Sequence, residues 1–475
     1  MQSMVEVADL LSTLQRSIHE VLRPSEELFE IDLLLENLRV YAKRVKGIPL
    51  SDEDYRLQPY KDFSGLVVTP RDRIYNSLLR RLKVILRFNI TSYEKVTRDL
   101  LRGLVSDEVD RLTGREIRLM TLLYQRPTTP QREIAKEMKV SLPTIRKDIK
   151  SLEEKIDLRF ANLIDWGRFK LRHYGLIFNT KGVDVSRHLA NVLNKEMATY
   201  LSTVNFDTSL QRGFAAFRIP DQGKPVQLFL EQVEFLSEHF FEWHQLHQIT
   251  KYHQSICFDY FDYDTSTWMI EGDISTLGLL NFVRENWAIL PKPRGLSNTI
   301  ARPFDKLDFY LTSFLVGDAN ASMKKIMERL KTVDIEAPRT TISTRKNRLY
   351  KERTMEPFFT FSTPQLPFFM TFAIRCEPHI AEQLTVAVAQ MPQGFASITK
   401  IGCILHVYAP SRSLGTILNA ISMTLEEDGV DEVWQMQEFK NMGAYGPAQL
   451  ASKWNGSYWT WSEDEFAIPS LGLEY

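Results

Sequence analysis

Residues 131–156 read QREIAKEMKVSLPTIRKDIKSLEEKI, and the fold is decided by how this stretch is punctuated. Ile134, Ala135 and Met138 share one side of a short helix over 131–138. Lys139-Val140-Ser141 makes a tight turn, and Ile145, Ile149, Leu152 and Ile156 then recur at steps of four, three and four along a helix over 142–156. Upstream, Thr113 with Glu116 three residues on forms a capping box for a helix over 114–125, whose buried side is Ile117, Leu119, Met120, Leu122 and Leu123. The run Arg126-Pro-Thr-Thr-Pro130 ends that helix. Three short helices with a tight turn before the third make a helix-turn-helix.

The outward side of the third helix offers Thr144, Arg146, Lys147, Lys150 and Ser151. The second helix and the turn add Arg132, Lys136, Lys139 and Ser141. Guanidinium, ammonium and hydroxyl groups on a rod of helical width are what reaches base edges and phosphates in a major groove. Asp148, Glu153 and Glu154 dilute the charge and argue against an indiscriminate binder. The bland alternative is a helical hairpin in an interaction domain.

Working outward, the rhythm changes. Strands over 171–179, 200–206, 213–219 and 241–249 alternate with helices over 183–197 and 225–237, giving the order βαββαβ of a ferredoxin-like unit. The same series then returns. Helices over 305–316, 321–330 and 339–351 set Thr341-Ile342 against Thr144-Ile145, and Leu349 against Leu152. A second βαββαβ follows, with strands over 369–375, 395–401, 403–408 and 432–439 and helices over 379–391 and 412–425. One offset that runs across a helical unit and into a sheet unit points to an internal duplication. In the second copy Lys346 falls where a buried residue is expected, while Arg345, Lys346 and Arg348 make it richly basic. It is either a degenerate copy that only grips phosphate or a structural module with a solvated basic face.

The expected fold class is therefore α+β: two winged-type helix-turn-helix domains, each followed by a ferredoxin-like βαββαβ domain, behind a helical N-terminal region. The divisions are a helical region and linker at 1–70, a basic helical segment at 71–110, the first helix-turn-helix at 111–166 and its sheet domain at 167–255. An insert and linker follow at 256–302, then the second helix-turn-helix at 303–358, its sheet domain at 364–442 and an aromatic arm at 443–475. The basic helix at 71–87 is either a solvated surface or a DNA-backbone contact.

Composition sets limits. The 475 residues are 44% hydrophobic and 25% charged, with a net charge of -1, so several cores fit and any nucleic-acid contact must be a local patch. Cys257, Cys376 and Cys403 show no zinc spacing and suit a reducing compartment. No apolar run is long enough to span a bilayer and no leader pattern opens the chain, so a cytoplasmic protein without membrane contact is expected. The sequence contains no GxGxxG, P-loop, GxSxG or HExxH, and no enzyme activity or cofactor is expected. His239, His244, His247, His253 and Cys257 are dense, but His244 and His247 stand an odd number apart on a strand and point to opposite faces, against a metal site. His406 reads as a satisfied sheet histidine. The strands lack the aromatic pattern of RNA-recognition sheets.

A helix-turn-helix at 131–156 followed by βαββαβ resembles the leucine-responsive regulator/AsnC family of bacteria and archaea, over about 113–255 and 303–442. The resemblance implies a transcription regulator on double-stranded DNA, sheet domains that dimerise, and a small-molecule effector such as an amino acid held between sheet domains. One chain would form an internal pseudo-dimer, able to assemble further into a homo-oligomer. The same architecture also resembles the sirohaem decarboxylases, which would imply a tetrapyrrole among the sheets served by His173, His188, His379 or His406. A third reading is an interaction scaffold without DNA affinity.

Overall fold

The computed structural model describes residues 112–466, apart from positions 128, 157, 196, 198, 208–210, 263–266, 269, 271–272, 291–293, 296–303, 362–365, 367, 411–412 and 445–446. The helices expected at 1–70 and in the basic segment 71–110 lie outside the described residues.

The chain begins with α1 (Gly114–Gln125), α2 (Gln131–Glu137), α3 (Leu142–Ile156) and β1 (Arg159–Ile164). It continues through β2 (Leu171–Thr180), α4 (Val183–Lys195), β3 (Leu201–Asp207), β4 (Arg212–Pro220), α5 (Gly223–Phe240) and β5 (Phe241–Ser255). Short strands β6 (Phe261–Asp262) and β7 (Thr267–Trp268), helix α6 (Asp273–Asn286) and β8 (Arg294–Gly295) form an insert. The order then repeats: α7 (Lys306–Leu315), α8 (Met323–Lys331), α9 (Arg339–Lys351), β9 (Met355–Thr360), β10 (Phe368–Cys376), α10 (Pro378–Val388), β11 (Gln393–Thr399), β12 (Gly402–Ala409), α11 (Leu414–Ser422) and β13 (Val430–Ala444).

The large strands pair antiparallel in the order β11-β12-β10-β13-β3-β4-β2-β5, and β5 pairs back onto β11. Eight strands thus close into a barrel with no open edge between the halves. Each half contributes its strands in the spatial order second, third, first, fourth. At both seams the fourth strand of one half meets the second strand of the other, β13 on β3 and β5 on β11.

Alternation along each strand sorts the side chains. On β4, Ala215, Phe217 and Ile219 face the helices and join Leu189 and Leu193 of α4 and Phe229, Val233 and Leu236 of α5. Phe214 and Ala216 face inward, where they meet Ile177, Ala373, Ile404, Trp434 and Met436. The barrel is narrow at Gly175, where an added Cβ would lie 2.8 Å from Ile404 Cδ1 of the other half. On the far side Leu384 and Ala387 of α10 and Ile417 and Ile421 of α11 cover β10 and β12.

Three features depart from the sequence expectation. The segments leaving the two third helices are strands, and they pair with each other: β1 runs antiparallel to β9, from Arg159 opposite Thr360 to Ile164 opposite Met355. Pro357 made the second of these unreadable as a strand. The insert, for which no element was expected, holds a helix. Leu279, Leu280 and Val283 of α6 pack into the core with α10 and α11, and Gly278, at φ 73°, breaks the helix that its apolar residues would otherwise announce. Strand β5 runs to Ser255, six residues beyond the expected end, because it must reach β11.

The aromatic arm is packed. Trp454 and Trp459 are buried; Trp459 Nε1 donates to the Phe169 carbonyl at 2.7 Å, and Trp461 Nε1 to Gln222 Oε1 at 2.7 Å. No helix among the described residues is long and apolar enough to cross a membrane.

Candidate nucleic-acid interface

The first three helices are locked before anything is displayed. Glu116 N–H donates to Thr113 Oγ1 at 3.2 Å and Thr113 N–H donates to Glu116 Oε2 at 2.8 Å, the reciprocal capping box. The same buried carboxylate accepts Lys155 Nζ at 3.0 Å and Ser151 Oγ at 3.3 Å from α3. Burial works against the charged form, but the Thr113 N–H and Lys155 outweigh it and hold Glu116 below the usual carboxylate range. Arg115 Nη2 reaches the buried Asp148 Oδ1 at 2.9 Å, a second tie between α1 and α3. Sequence reading missed both ties, although it noted Glu116 as a cap and Asp148 among the acidic residues of α3.

The turn is closed by backbone. Lys139 takes a left-handed φ of 56°, and Val140 N–H donates to Ala135 O at 3.0 Å, so the chain reverses within three residues. Ser141 caps α3, accepting Thr144 N–H at 3.2 Å, with its hydroxyl 2.7 Å from Thr144 Oγ1.

Ile145, Ile149, Leu152 and Ile156 are buried, as their spacing requires, and this fixes the opposite face. Arg146, Lys147 and Lys150 are exposed there. Arg132 and Lys136 on α2 and Lys139 in the turn are exposed beside them. Lys150 stands 3.8 Å from Glu154 with its side chain 76% exposed, a pairing too loose to withdraw its charge. One expected contact is different. Ser151 turns back toward Glu116 and leaves the free face, while Thr144 is half-buried, with its hydroxyl against Ser141 at the exposed start of α3.

The second triple of helices repeats the frame and uses its basic residues otherwise. Asp305 and Asp308 form the capping box of α7. Arg345 Nη2 meets Asp305 Oδ2 at 2.8 Å and its Nη1 meets Asp308 Oδ2 at 3.0 Å, while Arg348 also donates to Asp308. Asp308 is fully buried; burial and the neighbouring Asp305 push its carboxyl up, against the pull of the two arginines. The Arg348 guanidinium lies over the Phe304 ring at 5.3 Å. Lys346 is half-buried, and burial lowers its pKa. Arg345 and Arg348, read from the sequence as either a phosphate grip or a solvated basic face, bolt α9 onto α7.

The histidines divide. His244 Nδ1 lies 3.1 Å from Ser237 Oγ on the helix side, whereas His247 is buried inside the barrel 3.2 Å from Thr399 Oγ1, with its pKa pushed down to about 4 by burial. No group of three or more His, Cys, Asp or Glu among the described residues could hold a metal ion. His173 and His406 line one interior cavity, but His188 and His379 are exposed on helices outside it, so the four do not converge.

Residues 115–161 match the family described as HTH domain. No curated protein sequence matches the chain. Among solved structures, the siroheme decarboxylase NirDL is similar at 9% identity and a TM-score of 0.42, covering 74% of this chain and 96% of that one. NirDL in complex with an iron-uroporphyrin III analogue gives the same figures. PH0061 is similar at 14% identity and a TM-score of 0.23, over 29% of this chain and 93% of that one. The chain therefore carries a helix-turn-helix domain in a mixed helix and sheet protein; at these levels the structural likenesses say nothing of activity.

Proposed function

We propose that this chain is a sequence-specific transcription regulator that inserts α3 into the major groove of double-stranded DNA. The observation that carries the reading is the outer face of α3: Arg146, Lys147 and Lys150 are exposed on a helix whose other side is held by buried Ile145, Ile149 and Leu152. Arg146 and Lys147 reach base edges, while Lys150, Lys136, Arg132 and Lys139 neutralise phosphates and release counterions.

Two fused copies of a helix-turn-helix with a ferredoxin-like unit, in the manner of the leucine-responsive regulator/AsnC proteins, account for the rest. Support comes from the repeated element order, the second-third-first-fourth strand order in each half, and the reciprocal seams of the barrel. The barrel then acts as a built-in dimer. The second copy has given up reading, because its arginines are committed to Asp308. A small-molecule effector acts through the sheets, shifting the geometry only as far as it binds one arrangement better than another.

Selection of bound duplexes from a random double-stranded library tests this. The chain enriches a defined motif, and the Arg146→Ala/Lys147→Ala/Lys150→Ala variant enriches none. Equal enrichment by the variant removes the assignment of α3.

A further inference from the structure

One end of the barrel interior holds a cavity of about 310 Å³, covered by the β1–β9 ribbon through Asn162, Ile164 and Phe358. Two interior groups on neighbouring strands line it, Arg218 of β4 and His173 of β2, which stand opposite each other in the register. Arg218 Nε and His173 Nε2 are both shielded from solvent, and neither has a hydrogen-bond partner. The Arg218 guanidinium lies 4.4 Å from the Trp166 ring centre, and among the described residues no carboxylate pairs with it.

A guanidinium left without a counter-charge in a recess is costly unless something supplies one. Burial pushes Arg218 down to about 10 and His173 down to about 3. At neutral pH the first is charged and the second is neutral, so the cavity presents a single positive charge. No other Lys or Arg lines it, and no Asp or Glu does. The carboxylates of the adjoining cleft are already taken, Asp165 by Arg168 at 3.2 Å and Asp221 by Arg172 at 2.6 Å. Phe214 and Phe395 supply apolar wall.

From this we infer that the cavity binds a small monoanionic carboxylate with an apolar body and no ammonium group. The carboxylate pairs with Arg218, whose planar fork fits it, beside the neutral His173 ring. An α-amino acid is excluded by the same charge count, because its ammonium meets no acidic side chain. A phosphate dianion meets one positive charge where it needs two. The volume equals that of about ten waters, which fits a ligand of roughly ten non-hydrogen atoms. The covering ribbon is continuous with α3 and α9, so occupancy bears directly on the helices. The inference deepens the effector part of the reading above by giving its place and chemistry.

The test is thermal and calorimetric titration of the full chain with three probes of one shape: 3-phenylpropanoate, its uncharged amide, and phenylalanine. The carboxylate raises Tm in a saturable way and binds at least tenfold tighter than the other two. Arg218→Met abolishes that preference and raises the Tm of the ligand-free protein, since the unpaired charge is gone. Binding of the amide or phenylalanine as tight as the carboxylate, or no response to any probe, overturns the proposal; the series on the unaltered chain decides this even where the variant misfolds. Retained carboxylate preference in a chain that binds no DNA overturns the regulator reading alone.

Discussion

Replacing Arg345 and Arg348 together by Ala tests the proposed division of labour between the helix-turn-helix and the second triple of helices. Asp308 would remain fully buried, keeping only its capping contact with Asp305. Breaking a wholly buried pair by removing one side costs about 3–5 kcal/mol. Here the arginine side chains are 30% and 23% exposed, so water already screens part of the interaction, and about 2–3 kcal/mol is the expected loss. That is a large share of the roughly 5–15 kcal/mol that holds a typical domain. The loss also depends on pH. The Asp308 carboxyl is already pushed up by burial, and without the arginines it takes a proton more readily, so the penalty shrinks as pH falls. Equilibrium urea unfolding at pH 8 and pH 5 measures both effects, and fluorescence anisotropy on a selected duplex measures DNA affinity alongside. The expected outcome is a destabilised protein whose affinity, under conditions where it is folded, is unchanged. A variant as stable as its parent but weaker on DNA refutes the structural role given to these arginines.

Other outcomes follow from single features. Lys139→Gly relieves a left-handed residue at φ 56° and should add about 1 kcal/mol of stability; a loss in urea unfolding would contradict the turn geometry. Glu116→Gln keeps the shape of the capping side chain but removes the charge that Lys155 faces at 3.0 Å, and should cost about 1–2 kcal/mol by the same assay. His173 and His247 are held near 3 and 4 by burial, against an ordinary value of 6.5. Both stay neutral in the folded state while the unfolded chain gains protons below 6.5. Stability therefore declines as pH falls from about 6.5 toward 4, by up to about 1.4 kcal/mol per pH unit for each. His247→Gln should flatten that decline, and an unchanged slope would remove His247 from the cause.

The helix-turn-helix was legible because every local signal agreed. The capping box, the Pro-bounded end of α1 and the four-three-four spacing of Ile145, Ile149, Leu152 and Ile156 all specify one arrangement, and the bounds of α1 and α3 match their expected ranges. The strand and helix order of both halves was legible for the same reason. The closure of the barrel was not, because pairing of β5 with β11 joins residues about 140 positions apart and leaves no periodic trace. Charge was the least legible property. Arg146 and Arg345 look alike in the sequence, yet one faces solvent and the other Asp308, because Arg345 stands at the position of Asp148, on the side of the third helix that meets the first. Arg218 was overlooked because a single basic residue in an apolar strand carries no pattern until the strand faces a cavity.

The most direct measurement is the salt dependence of affinity for a selected duplex, by anisotropy from low to moderate salt, with and without Lys147→Ala/Lys150→Ala. Each phosphate that is no longer neutralised should reduce the slope of log affinity against log salt by about 0.9, so removing both ammonium groups lowers it by as much as about 1.8 and weakens binding throughout. An unchanged slope with unchanged affinity would mean that DNA does not lie against α3.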